Sequence, residues 1–153
     1  MPLILAAFLT PVNDITTDFV NPPSYVYIQS LDAHKGHSMA YPEKFKARQL
    51  KLYPDLKALT SNLPADKVFA AAIETAKTRK DWEIVFANDQ THHFEAVATT
   101  GLLRFKDDLV IEVREENGKS VVEMRSRSRL GRSDFATNYK RIHAYFEDLS
   151  AKI

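Results

Sequence analysis

The side chains best suited to chemistry sit close together late in the chain, in the run Arg125-Ser126-Arg127-Ser128-Arg129-Leu130-Gly131-Arg132-Ser133-Asp134-Phe135-Ala136-Thr137-Asn138-Tyr139-Lys140-Arg141-Ile142. Guanidinium groups hold carboxylates and phosphates through parallel N–H donors. Ser, Asp and Asn bring short side chains that bond nearby backbone and cap helices. Two arrangements fit this cluster. In the first it is a sealed polar network: Ser126 and Ser128 point inward at a strand end, and Asp134 caps the helix that follows. Asn138 and Arg141 then lie along one side of that helix, and Arg125 or Arg129 pairs with Asp107 or Asp108 across a hairpin. In the second, Arg125, Arg129 and Arg141 converge on an anionic ligand at the helix N-terminus, where backbone donors favour anions. A concave pocket lined by these residues favours the ligand site, and a closed network favours the structural role.

The remaining candidates are weaker. His34 and His37 fall in a loop, and His92 and His93 point to opposite sides of a strand, so neither pair supplies the three or four ligands of a metal centre. Asp107 and Asp108 likewise face opposite ways and do not form a carboxylate dyad by themselves. No G-x-S-x-G elbow surrounds Ser126 or Ser128, and no P-loop or G-x-G-x-x-G is present. The chain holds no cysteine, which excludes thiol catalysis, disulfides and Cys-ligated zinc. The expectation is therefore no catalytic residue, no metal and no cofactor.

The elements that must position the cluster are legible in the apolar pattern. A helix is expected from about residue 64 to 79: Pro64 suits its first turn, and Val68, Phe69, Ala72, Ile73 and Ala76 form one stripe. Four strands follow, carrying Trp82-Ile84-Phe86, Phe94-Ala96-Ala98, Leu109-Ile111-Val113 and Val122-Met124-Ser126-Ser128 on one face. Asn117-Gly118 between the last two predicts a tight antiparallel hairpin. Gly131 ends the fourth strand, Ser133 or Asp134 caps a final helix, and Phe135, Tyr139, Ile142, Tyr145, Phe146 and Leu149 give it an apolar side.

Earlier residues lack such a period. Pro11, Pro22, Pro23, Pro42 and Pro54 interrupt residues 10–60, which read as an irregular arm wrapping the domain. Tyr25, Tyr27 and Ile28 suggest one short strand in it, and Leu56, Ala58 and Leu59 another. Residues 1–12 are set apart as an apolar segment: a buried stretch, the remnant of a membrane helix, or a scar. Residues 13–153 make one domain, with the arm at 13–60 and a helix-sheet-helix core at 61–153. The fold class is α+β, a four-stranded antiparallel sheet flanked by two helices. Its β-α-β4-α order is that of TATA-binding-protein-like folds, although fold analogy supplies no function.

Composition narrows the partners. At 44% hydrophobic and 27% charged, the 153-residue chain is globular, and no apolar run reaches the roughly 18–20 residues of a membrane span. A net charge of +1 argues against a nucleic-acid partner. So does a sheet face read as outward, where Glu95, Glu112 and Glu123 alternate with Arg114, Arg125 and Arg127.

The run from Arg125 to Ile142 resembles the signature R-S-x-S-R-x-G-x-x-D-x-G-x-N-x-x-R-I of the bacterial family named domain of unknown function 1499. Two further stretches resemble it: Phe105-Lys106-Asp107-Asp108, and Asp14-Ile15-Thr16-Thr17-Asp18 followed by Pro22-Pro23. Ala136 stands where that pattern commonly has glycine. The resemblance implies membrane helices ahead of such domains, and hence a setting at the cell envelope or its periplasmic side, with membrane association through a neighbouring segment and a cytoplasmic setting left open. The reading that follows is a non-catalytic binding or assembly module at the bacterial cell envelope, with a protein or a small anionic ligand as partner. The alternative is an enzyme or ligand-binding protein acting on a small anionic molecule at the Arg-Ser-Asp-Asn cluster.

Overall fold

The alternating run from Trp82 to Ser128 folds as four antiparallel strands, but the sheet they build is wider than four. In the computed structural model, residues 12–130 and 136–153 are described. The elements are β1 (Asp14–Thr16), α1 (Glu43–Leu52), β2 (Leu59–Ser61), α2 (Ala65–Lys77), β3 (Trp82–Asn88), β4 (His93–Thr100), β5 (Phe105–Glu116), β6 (Lys119–Ser128) and α3 (Thr137–Ser150). The strands run in the order β1-β6-β5-β4-β3, and β2 joins the same edge of β6 as β1. All pairings are antiparallel, with Asp14 opposite Arg127 and Leu59 opposite Val122. Among the described residues the sheet is therefore six-stranded and carries three α-helices, not the four-stranded, two-helix TATA-binding-protein-like arrangement expected. From β2 onward the order is β-α-β4-α; the difference is that two short arm segments fill the edge left free by β6. Short three-residue strands give little local signal, because their pairing partner lies far away in sequence.

One sheet face packs on helices. Phe94, Ala96, Leu109, Ile111, Val122 and Met124 meet Val68, Phe69 and Ala72 of α2 and Ile142, Tyr145 and Leu149 of α3 in one core. Burying a side chain of this size contributes about 1.5–3 kcal/mol. The buried Tyr145 hydroxyl donates to the Ala72 carbonyl at 2.7 Å, which ties the two helices together. The Asn117-Gly118 turn has φ of 52° and 78°, the paired positive values of a primed hairpin turn.

The other face is covered by the arm. Tyr25, Ile28 and Met39 close over Val97 and Val110 in a second, smaller apolar cluster. Glu95, Glu123 and Arg125, read from sequence as outward, are therefore buried. The segment expected as a strand at Tyr25–Ile28 instead leads into a 3-10 turn, Ile28–Ser30. The prolines that argued against structure in the arm stand beside elements rather than inside them. Pro42 immediately precedes α1 and Pro54 follows its end, positions where a missing N–H costs little. Phe45, Gln49 and Leu52 form the buried side of α1. Gln49 finishes the exposed edge of β1: its amide accepts from Thr16 N–H at 3.0 Å and donates to the Thr16 carbonyl at 2.7 Å. An edge strand closed in this way offers no template to another chain. Ala136 precedes α3 with φ of 67°, a left-handed conformation that glycine takes without cost. The expected cap by Ser133 or Asp134 and the apolar segment up to residue 11 lie outside the described residues.

Candidate functional site

Strand parity divides the predicted cluster between the two faces of the sheet. On the helix side, Arg141 of α3 pairs with Asp107 of β5 at 2.7 Å. Its Nη1 also donates to Ser126 Oγ at 3.1 Å and to Asn138 Oδ1 at 2.9 Å. Ser126 donates to Asn138 Oδ1, and Asn138 Nδ2 donates to Ser128 Oγ at 2.9 Å. Ser126 and Asn138 are fully buried. These five residues fasten the first turn of α3 onto the ends of β5 and β6.

Arg125 projects to the arm side and is spent there. Its Nε and Nη2 grip the two oxygens of Asp14 at 2.9 and 2.8 Å. The remaining donors reach the carbonyls of Pro23 at 3.1 Å and Met39 at 2.6 Å. The rings of Tyr25 and Tyr41 lie 4.9 and 5.8 Å from its guanidinium carbon. Burial raises the Asp14 carboxyl above its ordinary value even with Arg125 bound, as expected of an ion pair taken out of water. Tyr25 donates its hydroxyl to the Asp108 carbonyl at 2.7 Å, so the arm is stitched to β5 as well as β6.

A second fastening lies nearby on β4. The Glu95 carboxylate accepts three successive backbone N–H groups, from Val26, Tyr27 and Ile28, at 2.8, 3.0 and 2.8 Å. Successive N–H groups of a strand point to opposite sides, so this convergence itself excludes a strand at that point. His93 sits between two carboxylates, 2.7 Å from Glu95 and 3.1 Å from Glu112. Burial works against its charge, but hydrogen bonds to Glu112 and Glu95 win and push its pKa up to about 9. For Glu95, burial is likewise outweighed by His93 and the three N–H donors, which carry its carboxyl below the ordinary value.

Where the arm stops covering this face, a cleft of about 640 Å³ opens between residues 33–38, 103–106 and 127–130. Arg104, Lys106, Arg127 and Arg129 line it together with His34 and His37, and among the described residues no carboxylate does. Arg129 is braced from behind by Asp108, Nε to Oδ1 at 2.9 Å. The other Asp108 oxygen lies 2.9 Å from His34 Nε2, and burial lowers the pKa of that histidine, leaving it neutral near pH 7. Arg127 is held loosely: its Nε is 3.9 Å from Asp14, and its buried Nη1 has no hydrogen-bond partner among the described residues. Arg104 makes no ion pair among the described residues.

A family model described as "Protein of unknown function (DUF1499)" matches residues 14–149. The chain belongs to the DUF1499 family. No curated protein matches it in sequence. Among solved structures, the crystal structure of Ara h 8.0201 is similar at 13% identity and a TM-score of 0.45, over 62% of this chain and 92% of that one.

In this DUF1499 chain, then, Asp107, Ser126, Ser128, Asn138 and Arg141 form one group, while Asp108, Arg125 and Arg129 belong to the opposite face. Asp134 lies outside the described residues. Arg129 takes Asp108, one of the pairings expected, whereas Arg125 takes Asp14 instead. Arg125, Arg129 and Arg141 do not converge, because the sheet stands between the first two and the third. Of the predicted residues that are described, Arg129 alone lines the cleft. Sequence reasoning missed Asp14, Tyr25, Tyr41, Glu95 and His93 as partners, and Arg104, Lys106 and Arg127 as cleft residues. Period-two alternation was the available signal for Arg127, since it shares a face with Arg125 and Arg129. Among the described residues no group of three His, Cys, Asp or Glu side chains is placed to hold a metal ion.

Proposed function

We propose that this domain is a non-catalytic binding module, set at a bacterial cell envelope, that takes an anionic partner in the cationic cleft. One observation carries the reading: four Arg and Lys side chains line a single concave surface on which, among the described residues, no carboxylate stands, in a chain whose net charge is only +1. Such segregation of charge raises the local potential and favours anions. Loosely held, Arg127 has a buried Nη1 with no hydrogen-bond partner among the described residues, a donor left for an anion to satisfy. The envelope setting rests on the membrane segments that the family resemblance implies. In this reading the anion meets the cleft rather than the Arg-Ser-Asp-Asn cluster, because the donors of that cluster face one another.

Backbone amide NMR during titration with inorganic phosphate, and separately with an alkyl phosphate, tests the proposal. Movement confined to residues 33–38, 103–106 and 127–130, weakened in Arg104→Ala and Lys106→Ala, is expected. Movement scattered over the surface, or none at all, overturns it.

A further inference from the structure

The cleft is bordered by apolar side chains that the fold leaves uncovered. Leu102 is fully exposed at the tip of the turn joining β4 to β5, and Leu103 beside it is 76% exposed. Leu130, across the cleft, is 72% exposed, and Phe105 is 46% exposed. Scattered exposed leucines are ordinary, but here adjacent ones crown a turn whose neighbours in sequence are Arg104 and Lys106. Leu103 and Leu130 form part of the cleft wall while Leu102 does not. A ligand confined to the cleft would leave Leu102 in water, whereas an occupant that also covers Leu102 extends past the rim.

We infer that the turn at residues 101–105 and the cleft beside it form one docking surface for an anionic lipid bilayer. The inference rests on the proposed anion-binding role of the cleft and names its partner. Leu102 and Leu103 enter the interfacial layer, Phe105 and Leu130 lie at headgroup depth, and Arg104, Lys106, Arg127 and Arg129 meet lipid phosphates. Apolar insertion and attraction to anionic lipid reinforce one another in peripheral proteins. Charge complementarity argues for this occupant: the four cations line the cleft that Leu103 and Leu130 border, and among the described residues no carboxylate lines it.

Flotation of the purified chain with vesicles tests the inference, comparing phosphatidylcholine alone with phosphatidylcholine containing about one-third phosphatidylglycerol. Binding is expected to the anionic vesicles and to weaken as salt rises to about 0.5 M. Removing one cation, as in Arg104→Ala or Lys106→Ala, should weaken it about fivefold. Leu102→Ser with Leu103→Ser should weaken it by about tenfold or more. Both leucines are exposed, so unchanged thermal melting is expected and guards against a folding defect. Equal binding to both vesicle types, or binding indifferent to the leucine substitutions, overturns the inference. If vesicles are ignored while phosphate still moves the cleft amides, the lipid inference falls and the binding module stands. If neither response occurs, both fall.

Discussion

Arg125 and Arg127 lie two residues apart on the same face of the same strand, yet they occupy opposite situations. Arg125 is 2% exposed, with a bidentate carboxylate, two carbonyls and two aromatic rings around it. Arg127 is 24% exposed, stands 3.9 Å from the same Asp14, and keeps an N–H without a partner among the described residues. What separates them is the arm, which crosses over one and ends short of the other. The side chain alone therefore does not distinguish a fastening from a recognition group. The covering segment does, and that segment lies far earlier in the chain, 111 positions before Arg125 at Asp14 and 86 before it at Met39.

The largest test removes the fastening. Asp14→Ala leaves the Arg125 charge buried and unpaired and should cost about 3–5 kcal/mol in denaturant unfolding. A loss under about 1 kcal/mol would mean that Arg125 has access to water and that the two arginines are alike. Next is Glu95→Gln, which keeps the shape of the side chain but removes the charged acceptor shared by Val26, Tyr27 and Ile28. It should cost about 2–3 kcal/mol and speed hydrogen exchange at those three amides.

The same fastening is sensitive to pH. The pKa of His93 is raised, so its stabilisation is complete below its ordinary value of 6.5 and is lost as pH rises through about 9. The pKa of Glu95 is lowered, so its contribution is present above its ordinary value of 4.5 and is lost as pH falls through the depressed one. Stability should therefore fall between about pH 6.5 and 9 by about 1–2 kcal/mol, a figure reduced because Glu112 is half-exposed. In His93→Gln that slope should flatten. The smallest expected effect on stability is that of Arg127→Gln. Loosely tied, Arg127 should cost less than about 0.5 kcal/mol when replaced, while the amide response to phosphate is largely lost.

The sequence made the helix-bearing half of the molecule legible because its signals are local. Alternation from Phe94 to Ser128, the Asn117-Gly118 turn and the stripes of α2 and α3 are all read within a few residues, whereas in β3 a bulge between Ile84 and Phe86 breaks the expected alternation and turns Phe86 to the arm face against Tyr27. Parity alone assigns Asp107 and Asp108 to opposite faces, as they stand in the sheet. The arm was not legible for the opposite reason. β1 exists only because β6 has a free edge, and α1 was hidden by prolines that mark its borders. Glu95 and Arg125 looked like solvent-facing charges because alternation identifies a face without saying what covers it. The glycine common at position 136 in the family pattern was informative, since the backbone there has φ of 67°. The cleft was missed because its cations come from two separate strand ends, at 104–106 and 127–129, and its histidines from a third segment at 34–37, with no spacing to connect the three.

The most direct test follows the side-chain Nε–Hε signals of Arg125 and Arg127 in one sample as inorganic phosphate is added. Arg127 should shift with phosphate concentration, while Arg125 stays fixed and exchanges slowly with solvent. A shift at Arg125, or an unmoved Arg127, would contradict the division of this face into a sealed fastening and an open site.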